Sequence, residues 1–421
     1  MLERILDLHI HSKYSRACSR ELELPKIALV CEKKGIDIVA TGDFTHPAWF
    51  SHIKDSLVEE NQGIYKLKNE VSLTRFILST EIACIYKDKE KCRRLHLVIL
   101  APNILAVEKF NQALIDRGVN IKSDGRPIMG ISAKEILKML LAIDKNFMLI
   151  PAHAWTPWFA VFGSKSGYNS LEECFEELTP HIRVIETGLS SDPPMNHMLS
   201  QLDNITLVSN SDAHSLDKLG REANVLAFDA EKDVTYAEIK RIIESGDKKK
   251  FLYTIEFFPE EGKYHFDGHK DCGVCYSPAE TMKVKGICPK CGKKLVVGVL
   301  NRVWELADRK VKNISSDKFI PHRHIVPLRE IIATVFGVGT GSKRVAREYD
   351  SLIKELGNEF FILLACDIKK ITEVSIDKNI SVAIDNMRRG QVQISPGYDG
   401  EFGKVKVFSQ LKQKRLFRMS S

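Results

Sequence analysis

The stretch DLHIHS at residues 7–12 decides how the first half of this 421-residue chain is interpreted. It closes an apolar, strand-like segment and places His9 and His11 two residues apart. Side chains two apart on a strand point to the same face, so both imidazoles can bind one ion. The stretch SDAH at residues 211–214 repeats this arrangement with Asp212 and His214. Together the two stretches predict a metal-binding domain, and the segments between them predict its fold.

Apolar segments of strand length alternate with helical patterns such as NILAVEKFNQALIDRG between these two stretches. The predicted strands are RILDLHI (4–10), GIDIVATGDF (35–44), RFILSTEIACIY (75–86), RRLHLVIL (93–100), FMLIPAHAW (147–155), IRVIETGL (182–189) and ITLVSNSDAH (205–214). Strands alternating with helices indicate an α/β fold with a parallel sheet, and seven strands favour a barrel over an open sheet.

Every predicted strand delivers a His, Asp or Glu, mostly near its carboxyl end. These residues are His9, His11, Asp43, His46, Glu81, His96, His153, Glu186, Asp212 and His214. The carboxyl ends of parallel barrel strands meet on one face, where active sites lie. Imidazole with carboxylate suits zinc, manganese or iron, and the set exceeds the needs of one ion. Several ions bridged by a carboxylate such as Glu81 are the equipment for hydrolysing a phosphate ester.

A single histidine on a strand is more often a hydrogen-bonded structural residue than a metal ligand, so the prediction depends on the joint pattern. Seven histidines lie outside that pattern and are assigned ordinary structural roles. They are His52, His181, His197, His265, His269, His322 and His324.

Four of the ten cysteines form a pair of CxxC motifs. These are Cys272, Cys275, Cys288 and Cys291, and each motif places two thiolates on one tight turn. Four thiolates complete a tetrahedron with no position open for water, so the spacing predicts a structural zinc site. The other six cysteines are scattered and are predicted to be small core residues.

The zinc motifs also divide the chain. We predict a metal-dependent catalytic barrel over 1–239, a basic connector over 240–254, a zinc module over 255–310 and a mainly helical DNA-binding domain over 311–421. Residues 1–239 hold 28 Lys and Arg against 33 Asp and Glu, whereas residues 240–421 hold 34 against 22. Lys and Arg side chains often form just a solvated face. Their concentration in one half of the chain, however, favours binding of an anionic polymer such as nucleic acid.

The chain has no apolar run of about 18 residues and does not begin with a signal-peptide pattern. We therefore expect a cytoplasmic protein without membrane contact.

Two segments are candidates for contact with DNA. The loop AWTPWFAVFGSKSGY (154–168) offers Trp155, Trp158 and Phe159 to a base and Lys165 to a phosphate, or else folds onto its own hydrophobic cluster. The turn at Gly337-Val338-Gly339 lies between helical patterns and resembles a helix-hairpin-helix, with Lys343 and Arg344 behind it. A plain turn between helices is the alternative.

The motifs DLHIHS, TGDFTH, STE, LH, PAH and SDAH, in this order, resemble those of the PHP (polymerase and histidinol phosphatase) superfamily. The resemblance implies a distorted (β/α)7 barrel that binds two or three divalent ions. Its HxH motif matches His9 and His11, and its bridging acid matches Glu81. Its later ligands match His96, His153, Asp212 and His214. Phe44 stands where most members carry a histidine, so Asp43, His46 or both are implied as ligands.

A PHP barrel followed by a zinc module and a helical region resembles the endonuclease Q family, as do GDFTHPAWF, ETGLSSDPPMN and RGQVQISPGYDGEFGKVKVF. The resemblance implies a DNA repair endonuclease that nicks 5′ of a deaminated base (uracil, hypoxanthine, xanthine) or an abasic site, with the damaged nucleotide flipped into a pocket. Implied cofactors are a structural Zn²⁺ and Zn²⁺, Mn²⁺ or Mg²⁺ in the barrel. Implied partners are the damaged DNA and other replication or repair proteins.

Within this resemblance Asp212, Glu81 and His214 are the predicted catalytic residues, and Glu186 is predicted to support the ligands from behind. A PHP-type phosphatase acting on small phosphomonoesters is the alternative, and a non-catalytic DNA-binding protein with an empty barrel is a third. The zinc module and the basic second half argue against the phosphatase, because a small substrate needs neither.

Overall fold

The computed structural model describes residues 1–69, 71–310 and 316–407, so the ends of the predicted 311–421 domain lie partly outside the described residues. The architecture is mixed α/β with a helical C-terminal region. No helix in the described ranges is long and apolar enough to cross a bilayer.

The strands in this part of the chain are β1 (Leu2–Asp7), β2 (Ile38–Ala40), β3 (Leu57–Asn61), β4 (Ile64–Leu67), β5 (Arg75–Ile77), β6 (Ser79–Asp88), β7 (Lys91–Leu100), β8 (Ile128–Met129), β9 (Met148–Pro151), β10 (Val184–Glu186), β11 (Thr206–Val208), β12 (Ala223–Phe228), β13 (Phe251–Phe257), β14 (Asp267–His269), β15 (Val274–Tyr276), β16 (His322–Ile325), β17 (Gln393–Ser395) and β18 (Lys404–Lys406). The helices are α1 (Leu24–Lys34), α2 (Pro47–Ser56), α3 (Ile104–Asp116), α4 (Ala133–Ile143), α5 (Leu171–Phe175), α6 (Pro193–Asn196), α7 (Tyr236–Ser245), α8 (Pro278–Lys283), α9 (Val299–Leu306), α10 (Leu328–Phe336), α11 (Lys343–Leu356), α12 (Glu359–Leu364), α13 (Ile368–Val374) and α14 (Asn379–Arg388).

Three sheets enclose the apolar core of the first half. Their strand orders are β16-β13-β12-β1-β2-β5-β4-β3, then β8-β6-β7-β9, then the parallel pair β10-β11. Hydrogen bonds between residues that follow the strands link the sheets. Ala154 N donates to Glu186 O at 2.9 Å, and His11 N donates to Ala213 O at 3.1 Å. Because β5 runs directly into β6, these contacts connect β1, β2, β5–β6, β7, β9, β10 and β11 in one circuit.

The circuit departs from an all-parallel arrangement at β7, which is antiparallel to both β6 and β9. The connection from β6 to β7 is a tight hairpin turn in which Lys89 and Glu90 adopt φ values of 46° and 52°. A parallel connection needs a crossover of a dozen or more residues, and two residues leave no room for one. His96 therefore lies within its strand rather than at a carboxyl end.

The predicted connector over 240–254 is not a separate linker in the structure. Residues 236–245 form α7, and β13 returns to the first sheet, where it pairs antiparallel with β12. The strand β16 pairs parallel with β13. The chain beyond residue 239 thus supplies two strands of the largest sheet. The charge run GDKKK at 246–250 had indicated a connector instead.

The carboxylate of Glu359 joins helices of the C-terminal region and lies close to the first half of the chain. This group accepts hydrogen bonds from Leu328 N at 2.9 Å and from the Tyr349 hydroxyl at 2.8 Å. The Lys34 ammonium, at the end of α1, lies 3.8 Å from the same carboxylate. Asn358 packs against Gly35, so the first turn of α12 and the end of α1 lie in contact.

Arg302 on α9, which follows the two CxxC motifs in the sequence, contacts the loop after β9. Its buried guanidinium donates to Phe162 O at 3.0 Å and to Tyr168 O at 3.0 Å. Replacing it by an apolar side chain leaves both carbonyl oxygens without that donor, at a cost of about 1–3 kcal/mol each.

We expect Arg302→Met to lower the melting temperature by several degrees, on the order of a 2–4 kcal/mol loss of stability. Thermal unfolding followed by circular dichroism measures the change. The matched control is Arg347→Met on the exposed face of α11, where no shift is expected. Equal melting temperatures for the two variants would contradict the anchoring role.

Candidate metal centre

His9 and His11 follow β1 and have almost no exposure to solvent. Their Nδ1 atoms point away from the centre and are held by carboxylates. His9 Nδ1 lies 3.1 Å from both oxygens of Glu186, and His11 Nδ1 lies 3.1 Å from Asp43 Oδ1. These contacts fix the N–H on Nδ1 and leave the Nε2 lone pairs facing the interior, as in histidines prepared to bind a metal.

Glu81 on β6 lies between two groups of imidazoles. Its Oε2 is 3.2 Å from His11 Nε2, while its Oε1 is 2.8 Å from His96 Nδ1 and 3.2 Å from His153 Nε2. The ligand atoms therefore form two overlapping sets that share Glu81. One is His9, His11, Glu81 and Asp212, and the other is Glu81, His96 and His153. A shared carboxylate is the geometry of a site that holds two adjacent ions.

Asp212 closes the first set. Its Oδ1 lies 3.2 Å from His11 Nε2 and 3.6 Å from His9 Nε2. These three buried atoms have no hydrogen-bond partner of suitable geometry among the described residues. Buried polar atoms without partners are costly, so their convergence on one point fits a divalent cation.

Three residues of the site have left-handed backbone conformations, which side chains other than glycine rarely adopt. The φ values are 48° at Asp43, 30° at His153 and 46° at Asp212. Gly188, at φ 68°, lies where a side chain would come within 2.6 Å of His153 Cβ. Such strain is retained where the surrounding structure imposes it, and here it turns the three side chains toward or around one centre.

The electrostatics of the site favour cations. Burial opposes the charged form of His9, but Glu186 and Asp212 outweigh it and raise its pKa well above the usual value. Burial also works against the charged form of Glu81, yet His96 and Arg126 hold its pKa well below the usual value. Burial lowers the pKa of His96 to about 4, so this imidazole is neutral and able to act as a ligand.

Several predicted ligands lie outside these two sets. Asp43 stands behind His11 and also accepts hydrogen bonds from Ser12 N and Ser15 Oγ at 2.7 and 2.8 Å. The His46 ring stacks on Tyr14 at 4.3 Å. The His214 ring packs 4.6 Å from that of His11, and its Nδ1 contacts Asp212 O at 2.8 Å.

The aromatic loop after β9 is divided between core and surface. Trp155, a predicted base contact, is only 1% exposed and donates from Nε1 to Asn196 Oδ1 at 2.7 Å. The prediction for this residue is corrected, because its indole is enclosed by the hydrogen bond and by stacking on Phe162. Trp158 is partly exposed beside Tyr264, Phe159 packs on the His96 ring at 4.5 Å, and Lys165 is exposed.

The turn at residues 337–342 joins α10 to α11. Gly337 ends α10 with φ 66°, and side chains added at Gly337 or Gly339 would meet open space. Lys343 and Arg344 open α11 and are exposed, with the Arg344 guanidinium 3.9 Å from the Phe336 ring. The turn is therefore open to a partner, as its predicted contact with a phosphate backbone requires.

The zinc motifs differ from the prediction at one position. The atoms that lie within 4.8 Å of one another belong to His269, Cys272, Cys288 and Cys291. Cys275 instead directs its Sγ toward Pro396 O at 3.9 Å, and burial raises its pKa to about 11. In the hairpin of β14 and β15, Cys275 is paired with Gly268 and His269 with Val274. Side chains alternate faces along a strand, so Cys275 and His269 face opposite sides.

Two residues of these sites escaped the sequence analysis. His269 precedes Cys272 by three positions, the spacing of a CxxC motif with one thiolate exchanged for an imidazole, and that signal was available. Arg126 lies in the loop before β8, and its NH1 donates to Glu81 Oε2 at 2.9 Å. No motif in the sequence marks it, because only the folded chain brings residues 81 and 126 together.

Known proteins match parts of this chain or nearly all of it. A family model described as the MJ0043 C-terminal domain matches residues 327–391. The uncharacterized protein MJ0043 of Methanocaldococcus jannaschii is 32% identical over 258 residues, which are 60% of this chain but only 31% of that protein. The uncharacterized protein YqxK of Bacillus subtilis is 27% identical over 415 residues, covering 95% of this chain and 98% of YqxK.

Two solved structures match more completely. The lesion-specific endonuclease PfuEndoQ from Pyrococcus furiosus is 31% identical, with a TM-score of 0.85 over 98% of this chain and 97% of that one. Endonuclease Q in complex with a 27-mer duplex substrate, with an abasic lesion at the active site, is also 31% identical, with a TM-score of 0.85 over 97% and 98%. On this full-length similarity in sequence and structure, the chain belongs to the endonuclease Q family.

Proposed function

We propose that the protein is a metal-dependent DNA repair endonuclease that nicks the phosphodiester on the 5′ side of a deaminated base or an abasic site. The observation that carries the proposal is the convergence of His9 Nε2, His11 Nε2 and Asp212 Oδ1 on one point beside the shared carboxylate of Glu81. The neighbour's abasic-lesion duplex supports damaged DNA as the substrate class.

In this proposal a PHP-type barrel holds two ions, taken from Zn²⁺, Mn²⁺ and Mg²⁺. One would be bound by His9, His11, Glu81 and Asp212, and the other by Glu81, His96 and His153. Bound ions of this kind activate water and stabilise negative charge on a phosphate. Glu186 and Asp43 keep the Nδ1 hydrogens of His9 and His11 in place, so the lone pairs stay aimed inward.

Asp212 and His214 are the groups assigned to proton transfer. Their side chains are 25% and 33% exposed, more than those of the other ligand-type residues of the centre. This exposure is consistent with a position at the mouth, where a proton must leave the attacking water and reach the departing 3′ oxygen.

The rest of the chain would bind the DNA. The excess of Lys and Arg beyond residue 239 supplies salt-dependent attraction to the phosphate backbone. Lys343, Arg344 and the open turn at Gly337 and Gly339 are proposed backbone contacts, with Lys165 nearer the barrel. Trp158 and Phe159 are the aromatic residues of the β9 loop that remain accessible to a flipped nucleotide.

We also propose a structural zinc ion held by His269, Cys272, Cys288 and Cys291. Cys291 Sγ lies 3.7 Å from His269 Nδ1, and three thiolates with one imidazole are a common set for structural zinc. Burial disfavours the Cys288 thiolate, but the backbone N–H groups of Lys290 and Cys291 outweigh it and lower the pKa. That thiol is thereby prepared for a metal.

The first prediction concerns the barrel. We expect Asp212→Asn to reduce nicking of a duplex with one uracil, hypoxanthine or abasic site by a factor of about 100 or more, because one anionic ligand is lost. Denaturing gels of end-labelled DNA measure the rate, with Mn²⁺ or Mg²⁺ added. Asp116→Asn, on the exposed end of α3, is the charge-matched control and should cut normally. A folded Asp212→Asn protein with wild-type activity would contradict the proposal.

The second prediction concerns the zinc module. Since His269 belongs to the ligand cluster and Cys275 does not, His269→Ala should release one zinc per chain to a chelator and lower the melting temperature. Cys275→Ser is the matched variant and should keep its zinc. Metal analysis after gel filtration measures both. The reverse outcome, zinc retained in His269→Ala and lost in Cys275→Ser, would restore the four-cysteine site.

A further inference from the structure

Arg126 contacts the candidate metal centre, although it is not one of the predicted ligands. It lies in the loop between α3 and β8, and its NH1 donates to Glu81 Oε2 at 2.9 Å. The side chain is 23% exposed, so the guanidinium contacts the ligand cluster and still reaches solvent. The attraction of Glu81, set against partial burial, raises the pKa of Arg126 further above its ordinary value.

The loop that carries Arg126 is held firmly against the centre. Asp124 Oδ1 accepts a hydrogen bond from Arg126 N at 3.0 Å, and Gly125 N donates to Tyr14 O at 3.0 Å. A side chain at Gly125 would come within 2.4 Å of Asp43 Oδ2, which shows how closely the loop approaches the carboxylate behind His11. Arg126 is thus positioned by the backbone rather than free to swing in solvent.

Most of the hydrogen-bonding capacity of Arg126 is unused within the protein. A guanidinium carries five N–H donors, and the contact with Glu81 is the side-chain hydrogen bond that this group makes among the described residues. A partly buried, permanently charged fork with spare donors beside a metal centre is a binding group for an anion.

We propose that Arg126 contacts a non-bridging oxygen of the scissile phosphate and places the phosphorus over the shared carboxylate of Glu81. The inference rests on the proposed nuclease function and adds a substrate-contacting residue to it. A phosphodiester carries one negative charge, and more charge builds on its oxygens as water adds. The guanidinium meets that charge without needing a proton, because it is protonated throughout the working pH range.

The competing interpretation is that Arg126 only neutralises Glu81 and helps to assemble the centre. The two interpretations predict different cleavage rates when sulfur replaces a non-bridging oxygen of the scissile phosphate. If Arg126 binds one non-bridging oxygen, replacing that oxygen by sulfur weakens the hydrogen bond, and one phosphorothioate diastereomer is cut more slowly. A residue that only balances Glu81 has no such stereochemical effect.

The experiment uses the full-length, metal-loaded protein and lesion duplexes with an Rp or Sp phosphorothioate at the scissile position. Single-turnover rates, the Kd for uncut DNA and the metal content are measured for wild type, Arg126→Gln and Arg126→Lys. The control is Arg117→Gln, which removes an equal charge from the exposed end of α3. We expect Arg126→Gln to slow the cut by roughly 100-fold, as for the loss of one charge-stabilising donor.

The same variant should show a smaller difference between Rp and Sp substrates than the wild type, because only the metal contacts to the phosphate remain, while keeping its metal and most of its DNA affinity. Arg126→Lys should fall between the two, since it keeps the charge but not the fork. A wild-type rate with an unchanged Rp/Sp difference in Arg126→Gln would overturn the inference, and so would loss of the barrel metal. Failure of the wild type on every lesion duplex would instead reject the proposed function.

Discussion

The carboxylate of Glu81 is the group on which the first half of the molecule depends. It is 1% exposed, and a buried carboxylate is tolerated only where cations or hydrogen-bond donors surround it. Three histidines and an arginine approach its two oxygens from four separate strands or loops. The order of the strands can be understood as the arrangement that brings these groups, far apart in sequence, to one carboxylate.

A second layer of carboxylates makes that arrangement chemically specific. Glu186 binds the back of His9 and also accepts a hydrogen bond from His153 N at 2.8 Å. Asp43 holds the back of His11 and is itself held by Ser12 and Ser15. Each outer acid thus fixes which ring nitrogen faces the centre, and metal affinity depends on that choice. Negative charge lies on both sides of the imidazoles, which explains why the space among them favours cations.

The sequence was informative where the physical signal is local. Apolar segments of strand length located the seven strands of the circuit, and the two-residue spacing of His9 and His11 predicted their shared direction. It misled at one short turn and where long-range geometry decides. The reversal of β7 follows from a two-residue turn, and the burial of Trp155 follows from a partner 41 positions away, Asn196. His269 was overlooked although its spacing to Cys272 is that of a CxxC motif, because the four cysteines alone already complete a tetrahedral set.

The distribution of charge gains meaning once the sites are located. The acidic excess of the first 239 residues includes the carboxylates of the centre and their outer supports, which bound cations would partly offset. The repulsion felt by an approaching phosphate backbone is then smaller than the sequence count implies. Arg126 adds a fixed positive charge beside Glu81, from the half of the chain where cationic residues are fewer. Attraction at long range can therefore come from the basic second half, while the final alignment of one phosphate depends on a single guanidinium beside Glu81.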